Sequence, residues 1–131
     1  MLYQLDQLVF KYFLGKQIVH ALKDINLSIS KGQFICFAGP SGSGKSTLLS
    51  LLGLIEPVQE GQLLFQGINF KDLKENKKNE IRKNKLGFIF QTFHLFEVLN
   101  TFENVEYFLT RQSIPKKERK ERTEHVLKKV G

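Results

Sequence analysis

Hydrophobic residues recur along the first thirty positions at spacings that suit strands. Leu2, Leu5, Leu8 and Phe10 alternate loosely with polar residues and read as the start of a strand. Ile18, Leu22, Ile25, Leu27 and Ile29 continue the pattern, and Leu27–Ser30 keeps a strict period of two. Lys31-Gly32 is a turn signal. Phe34–Ala38 then forms a short apolar run of strand length, the pattern of a strand buried on both faces. The closeness of this run to the strand before it suggests antiparallel pairing between the two.

Further on, Leu48, Leu49, Leu51 and Leu52 have the spacing of a helix laid on a sheet, with Glu56-Pro57 as its expected end. Glu60-Gly61 reads as a turn, Gln62–Phe65 as a strand, Gln66-Gly67 as a second turn and Ile68–Phe70 as a brief continuation. Residues 72–84 are polar and charged and suit a surface helix. Leu86–Phe90 is a second apolar run of strand length, ended by Gln91. Asn100 and Glu103 can form a capping box that opens a helix over 101–111. Ser113 and Pro115 offer a cap and a first-turn proline for the next helix, whose Thr123, Val126, Leu127 and Val130 form one apolar stripe. No internal repeat or low-complexity stretch interrupts this order. β-rich sequence thus lies on both sides of one glycine-rich helix start, unlike the plain βαβα alternation of a simple nucleotide-binding domain.

That helix start carries the chemistry. Gly39-Pro40-Ser41-Gly42-Ser43-Gly44-Lys45-Ser46-Thr47 fits G-x-x-x-x-G-K-[ST], between an apolar run and a helical pattern, which is the context the motif requires. Phosphate is dense negative charge and needs many donors in a small volume. Glycines at 39, 42 and 44 let the backbone approach it, and N–H groups from Gly42 to Ser46 form an anion nest. The helix end adds its partial positive charge. In this motif Lys45 reaches the β- and γ-phosphates, Ser46 holds Mg²⁺, and Thr47 lies near the α-phosphate.

Composition narrows the setting. A chain of 131 residues is one domain or part of one, and 41% hydrophobic content is enough for a core. No apolar run approaches a bilayer span, and Met1–Asp6 lacks a basic leader, so export is not expected. The single Cys36 falls in the expected buried strand and reads as a small core residue in a reducing compartment. Net charge is +7, concentrated at residues 71–85 (+4) and 111–129 (+5). No aromatics interleave with these lysines as a stacking platform for nucleic acid requires, so they read as solvated helical faces.

Taken together, these residues resemble the ATP-binding subunits of ABC transporters over essentially the whole chain. Ala21–Gly32 resembles the approach to that family's phosphate loop, and Gly39–Leu49 its Walker A motif. Leu52-Gly53-Leu54, Glu60-Gly61 and Gly67 resemble the stretch beyond that motif. Leu86–Gln91 resembles the strand that ends in the Q-loop glutamine, and Thr101–Val105 the opening of the helical subdomain. A glutamine 46 residues beyond Lys45, at the end of an apolar strand, is far more specific than Walker A alone. Phe88–Leu95 and Arg111–Arg119 look most like the lipoprotein-release and macrolide-export group.

The resemblance implies an α/β fold. It is that of a P-loop NTPase with a RecA-like core, an antiparallel β subdomain of the ABC type and the start of the helical subdomain. Within 1–131, residues 1–38 and 60–70 would supply the β subdomain and a core strand, 39–56 the phosphate loop and helix, 86–91 the strand to the Q-loop, and 100–131 the helical subdomain. ATP and Mg²⁺ are the implied cofactors. Gly39, Ser41, Gly42, Ser43, Gly44, Lys45, Ser46 and Thr47 would hold the phosphates, and either Tyr12 or Phe13 would stack on adenine. Lys45 and Gln91 carry the implied catalytic roles, and Ser46 and Gln91 the metal. His94 is expected at the surface facing a membrane partner, while His20 and His125 read as ordinary surface residues. The implied partners are an integral membrane permease and a second ATPase subunit, with the protein cytoplasmic and peripheral on the inner face of the cell membrane.

No LSGGQ-type signature and no apolar strand ending in Asp-Glu occurs in these residues. In-line attack on a γ-phosphate needs a carboxylate to position water. The resemblance therefore implies the N-terminal part of such a domain, able to bind nucleotide but not to hydrolyse it, with apolar surface exposed where further strands would dock. A soluble ABC-type ATPase acting on DNA or ribosomes is the alternative.

Overall fold

Period-two alternation in the first thirty residues becomes a long antiparallel ribbon. In a computed structural model describing residues 1–131, β1 runs Tyr3–Leu14 and β2 runs Gln17–Ile29, joined by a two-residue turn with Gly15 at φ 61°. Tyr3 pairs with Ile29 at one end and Leu14 with Gln17 at the other. Two further strands, β3 (Glu60–Phe65) and β4 (Ile68–Asn69), complete one antiparallel sheet in the order β2-β1-β3-β4. The β3–β4 turn, Gln66-Gly67, has positive φ at both positions (51° and 80°), the twist that closes a tight hairpin.

The alternation in β1 is loose for a physical reason. Tyr3 and Leu5 are buried, and so are Leu8 and Phe10, so the inward phase slips by one residue between the two pairs. The slip is a bulge at Gln7, which has φ 47°. Asn26 in β2 holds it: its side-chain oxygen accepts from the Gln7 N–H at 2.9 Å, and its amide donates to the Asp24 carbonyl at 3.1 Å. On the other side, the bulged backbone leans into β3. A Cβ added at Gly61 would lie 2.3 Å from the Gln7 carbonyl oxygen and 2.6 Å from that of Asp6. Glu60-Gly61 is therefore not the expected turn but the opening of β3, where only glycine fits.

Helix α1 (Lys45–Leu52) buries Leu48, Leu51 and Leu52 and leaves Leu49 exposed. It ends at Gly53, whose N–H donates to the Leu49 carbonyl at 2.8 Å, four residues before the expected stop at Pro57. The buried Tyr3 hydroxyl donates to the Leu52 carbonyl at 2.9 Å, pinning the helix end to β1, and burial pushes the phenol above its ordinary range. Tyr3 packs tilted against Phe65, and Phe65 stacks on Phe70, with centroids 4.9 and 5.8 Å apart. Helix α2 (Glu75–Lys85) is charged on its surface. Near its end Arg82 donates to the Leu54 carbonyl, to Asn79 and to Glu75.

The chain divides into two compact units, Met1–Arg82 and Lys83–Gly131. The second holds α3 (Thr101–Arg111) and α4 (Lys116–Val130). Asn100 and Glu103 make the expected capping box, both bonds at 2.9 Å. Ser113 does not cap α4. It takes φ 59°, and Pro115 stands at the cap position itself. Of the stripe on α4, only Thr123 is fully buried, its hydroxyl without a protein partner; Leu127 is half-buried, and Val126 and Val130 are exposed.

Neither expected buried strand forms. Residues 34–38 and 86–90 join no ladder, and β2 pairs with β1 rather than with residues 34–38. A strand covered on both faces needs neighbours to take its N–H and C=O groups, and no segment of this chain supplies them. The side chains consequently reach solvent: Phe34 is 99% exposed and Phe90 52%, and Cys36, expected in the core, is exposed.

Two glycines separate backbone strain from close packing. Gly15→Ala, with nothing near its added Cβ, should cost about 1 kcal/mol from its positive φ alone. Gly61→Ala adds a collision with main-chain oxygens and should cost roughly 3 kcal/mol. Urea denaturation midpoints of the two variants against the parent chain check the difference.

Candidate functional site

The phosphate-loop sequence folds into a turn that feeds α1 from its positive end. Gly42 and Gly44 take φ 79° and 88°, in the left-handed region. Gly44 is the residue before the helix, and a Cβ there would lie 2.4 Å from the Ala21 carbonyl oxygen and 2.9 Å from the Leu22 side chain. The helix start is thus pressed against β2, and the first-turn N–H groups of α1 have no helical carbonyl to meet. That first turn carries no acidic residue, so no carboxylate of the helix itself offsets its dipole there.

Lys45 completes the loop. Its ammonium donates to the Gly39 carbonyl at 2.9 Å, the Pro40 carbonyl at 2.7 Å and the Ser43 hydroxyl at 3.3 Å. Each acceptor is neutral, so the cation keeps its full charge at the mouth of the loop. Ser41, Ser43 and Ser46 are exposed along the same turn, and Thr47 is buried under it. This donor set suits a polyphosphate: backbone N–H groups, one ammonium, hydroxyls and no carboxylate.

The structure brings Tyr12 to this loop. Its hydroxyl lies 3.3 Å from Thr47 Oγ1, and its ring stands edge-on to Phe10 with centroids 5.0 Å apart. Tyr12 is 38% exposed, so part of it remains open to solvent. Phe13, the other candidate, is 66% exposed, pairs with Ile18 and follows Tyr12 on the strand, where successive side chains take opposite faces.

Sequence reasoning gave no role to three neighbours of Tyr12. Gln59 accepts from the Lys11 N–H through Oε1 at 2.8 Å and donates to the Lys11 carbonyl through Nε2 at 2.9 Å. Lys11 Nζ reaches Glu60 at 2.7 Å. These contacts join residues about fifty positions apart, and no local pattern announces them. The hydrogen bond from Lys11, and its charge, hold the Glu60 carboxyl below the usual carboxylate range.

Gln91 belongs to the second unit, where it is exposed in an irregular stretch between the apolar run and Thr92. Phe88 and Phe90 stack there, with centroids 5.6 Å apart, and His94 packs edge-on to Phe90 at 5.1 Å. His94 is held by the Thr92 carbonyl at 2.8 Å. Phe93, Leu95, Phe96 and Val98 add exposed apolar side chains in the same segment.

A family model described as ABC transporter matches residues 22–131. The chain belongs to the ABC transporter family. Among solved structures it resembles the dimeric post-hydrolysis state of the ATP-binding cassette MJ0796 of Methanocaldococcus jannaschii bound to ADP and Pi, with a TM-score of 0.88 and 37% identity. That match covers 96% of this chain and 56% of that one. The lipoprotein-releasing system ATP-binding protein LolD of Aquifex aeolicus is 43% identical over 110 residues, covering 84% of this chain and 49% of that protein. The macrolide export ATP-binding/permease protein MacB of Aggregatibacter actinomycetemcomitans is 38% identical over 117 residues, covering 89% and 18%. The chain spans about half the length of the MJ0796 and LolD proteins. At this family's level the expected fold class holds, with one four-stranded antiparallel sheet and helices, although the two apolar runs stand unpaired. No helix is long and apolar enough to cross a membrane.

Glu60 gives the site region a pH signature. Because its folded carboxyl is held low, the stability it adds is present above the ordinary value of 4.5 and is lost as pH falls through the folded value. Urea midpoints of the parent chain should therefore drop more steeply between about pH 6 and pH 3 than those of Glu60→Gln. Parallel curves would show that the ion pair contributes nothing.

Proposed function

We propose that this chain carries the ATP-binding part of a transport ATPase, with the nucleotide laid from Tyr12 to the phosphate loop. The observation that carries the reading is the loop itself. A helix start free of acidic residues, two left-handed glycines and an ammonium held only by neutral acceptors converge at Gly39–Thr47.

In this reading Gly39, Ser41, Gly42, Ser43, Gly44, Lys45, Ser46 and Thr47 surround the phosphates. Lys45 exchanges its carbonyl partners for phosphate oxygens, a stronger charge-assisted set. The Tyr12 face takes adenine, since stacking needs no hydrogen-bond code; its reach to Thr47 favours it over Phe13. Ser46 in the first unit, and by the family resemblance Gln91 in the second, would each offer a hard oxygen of the kind Mg²⁺ takes. When bound, the ion screens the phosphate charge. Gln91 and the exposed aromatic segment beyond it, His94 included, would face the membrane partner.

The names of the relatives support the setting. LolD is the ATP-binding protein of a lipoprotein-releasing system, MacB is a macrolide export protein, and the MJ0796 cassette is dimeric with ADP and Pi. By analogy the whole protein pairs two ATPase subunits with an integral membrane permease at the inner face of the membrane and couples hydrolysis to export or release. The basic helices are taken as solvated faces: in α4, Lys120 faces Glu124 and Arg122 faces Glu118, four residues away in each case.

Lys45→Ala should weaken ATP binding by this chain roughly 10- to 100-fold, the worth of a charge-assisted contact set. Titration with a fluorescent ATP analogue measures it, and equal affinity in both proteins would sink the reading. ATP turnover by this chain should stay at background, since no carboxylate in it ends an apolar strand to position water.

A further inference from the structure

Strand β1 loses one of its two neighbours halfway along. Towards its start it lies between β2 and β3, but the pairing with β3 stops at Val9, opposite Glu60. Beyond that point only β2 is paired with it, out to the turn at Gly15. Tyr12 lies in this one-sided arm. A ribbon held along one edge frays more readily than a strand held along both.

The Tyr12 hydroxyl cannot fix the ring by itself. Its contact with Thr47 is 3.3 Å, long for a bond between hydroxyls, which favour about 2.7–2.8 Å. The contacts one residue earlier are of ordinary strength. Gln59 meets both main-chain groups of Lys11, at 2.8 and 2.9 Å, in a part-buried position. Gln59 immediately precedes β3, so its carboxamide stands where the next rung of the β1–β3 ladder would be. A primary amide is the side-chain group that copies a peptide's donor and acceptor together. The Lys11–Glu60 contact at 2.7 Å ties the same level from the side chains.

We propose that Gln59 is a positioning residue for the base platform. By replacing a strand rung at Lys11, it fixes the backbone that sets the Tyr12 hydroxyl beside Thr47 and holds its ring in place, and so contributes selectivity for an aromatic base over bare polyphosphate. The inference rests on the reading of Tyr12 as the adenine-stacking residue. It adds that the platform is held by a side chain at the start of the neighbouring strand β3 rather than by the loop.

The ligands that test it are ATP and inorganic tripolyphosphate, measured calorimetrically with this chain. Tripolyphosphate uses the loop alone and reports whether the loop is folded. Gln59→Leu should weaken ATP roughly three- to tenfold, the scale of one stacking contact, and leave tripolyphosphate within about twofold. Gln59→Glu keeps the acceptor for the Lys11 N–H, loses the donor and sets a carboxylate against the Lys11 carbonyl, so it should show a loss of the same kind. In a Tyr12→Ala background, Gln59→Leu should have no further effect on ATP. Equal losses of ATP and tripolyphosphate in both Gln59 variants would show that Gln59 merely holds the sheet and would overturn the inference. So would an unchanged ATP-to-tripolyphosphate ratio in both Gln59 variants while Tyr12→Ala lowers it, an outcome that leaves the Tyr12 reading standing. If Tyr12→Ala itself leaves that ratio unchanged, the reading fails and the inference falls with it.

Discussion

The first unit depends on one close approach, the backbone of Gly44 against the carbonyl of Ala21. With φ at 88° and no Cβ, Gly44 turns the chain into α1 while touching β2. Any side chain would overlap the Ala21 oxygen at 2.4 Å. Moving the helix away to relieve that overlap would pull its first-turn N–H groups out of the loop and lift Leu48, Leu51 and Leu52 from the positions where they are buried. The phosphate loop is therefore a property of the sheet as much as of its own nine residues. The loop sequence supplies the donors, and β2 fixes where they point.

A second close approach does for the sheet what Gly44 does for the helix. The bulge at Gln7 lets β1 change its inward phase between Leu5 and Leu8, and Gly61 alone leaves room for the bulged carbonyls. Two further irregularities, between Leu8 and Phe10 and between Phe10 and Lys11, follow the bulge before the register runs unbroken from Lys11 to Leu14, and past them Tyr12 packs against Phe10.

This explains how far the sequence could be read. The phosphate loop was legible because the motif joins residue type to a local backbone shape. The capping box at Asn100 and Glu103 and the hairpin at Gln66-Gly67 were legible for the same reason. Tyr12 and Phe13 were not separable, since the strand is irregular at three points between Leu5 and Lys11, and only the spacing of three between Leu5 and Leu8 leaves a trace in the sequence. Gln59 was invisible, because a polar side chain capping a backbone 48 residues away leaves no periodicity. Ser113 had the right type for a cap, but Pro115 presets the backbone at that position and displaced it. The runs at 34–38 and 86–90 show the opposite failure. Their apolar character is strand-like, but a strand is a relation between segments, and pattern within one segment cannot supply the partner.

Lys45 shows why the loop can hold its shape before any ligand arrives. An ammonium has three donors, and all three are used on Gly39, Pro40 and Ser43. The cation thus braces the loop from inside, drawing together carbonyls that would otherwise face each other without compensation. Binding is then an exchange of partners rather than the addition of new ones. A ligand with a single anionic oxygen replaces one of three contacts and leaves the lysine divided between loop and ligand. A polyphosphate presents several oxygens along the line of the loop and can replace the whole set, with each neutral acceptor giving way to a charged one. In the proposed reading, preference for a chain of phosphates over a lone anion would come from that exchange, from the geometry of one side chain and its three carbonyl and hydroxyl partners.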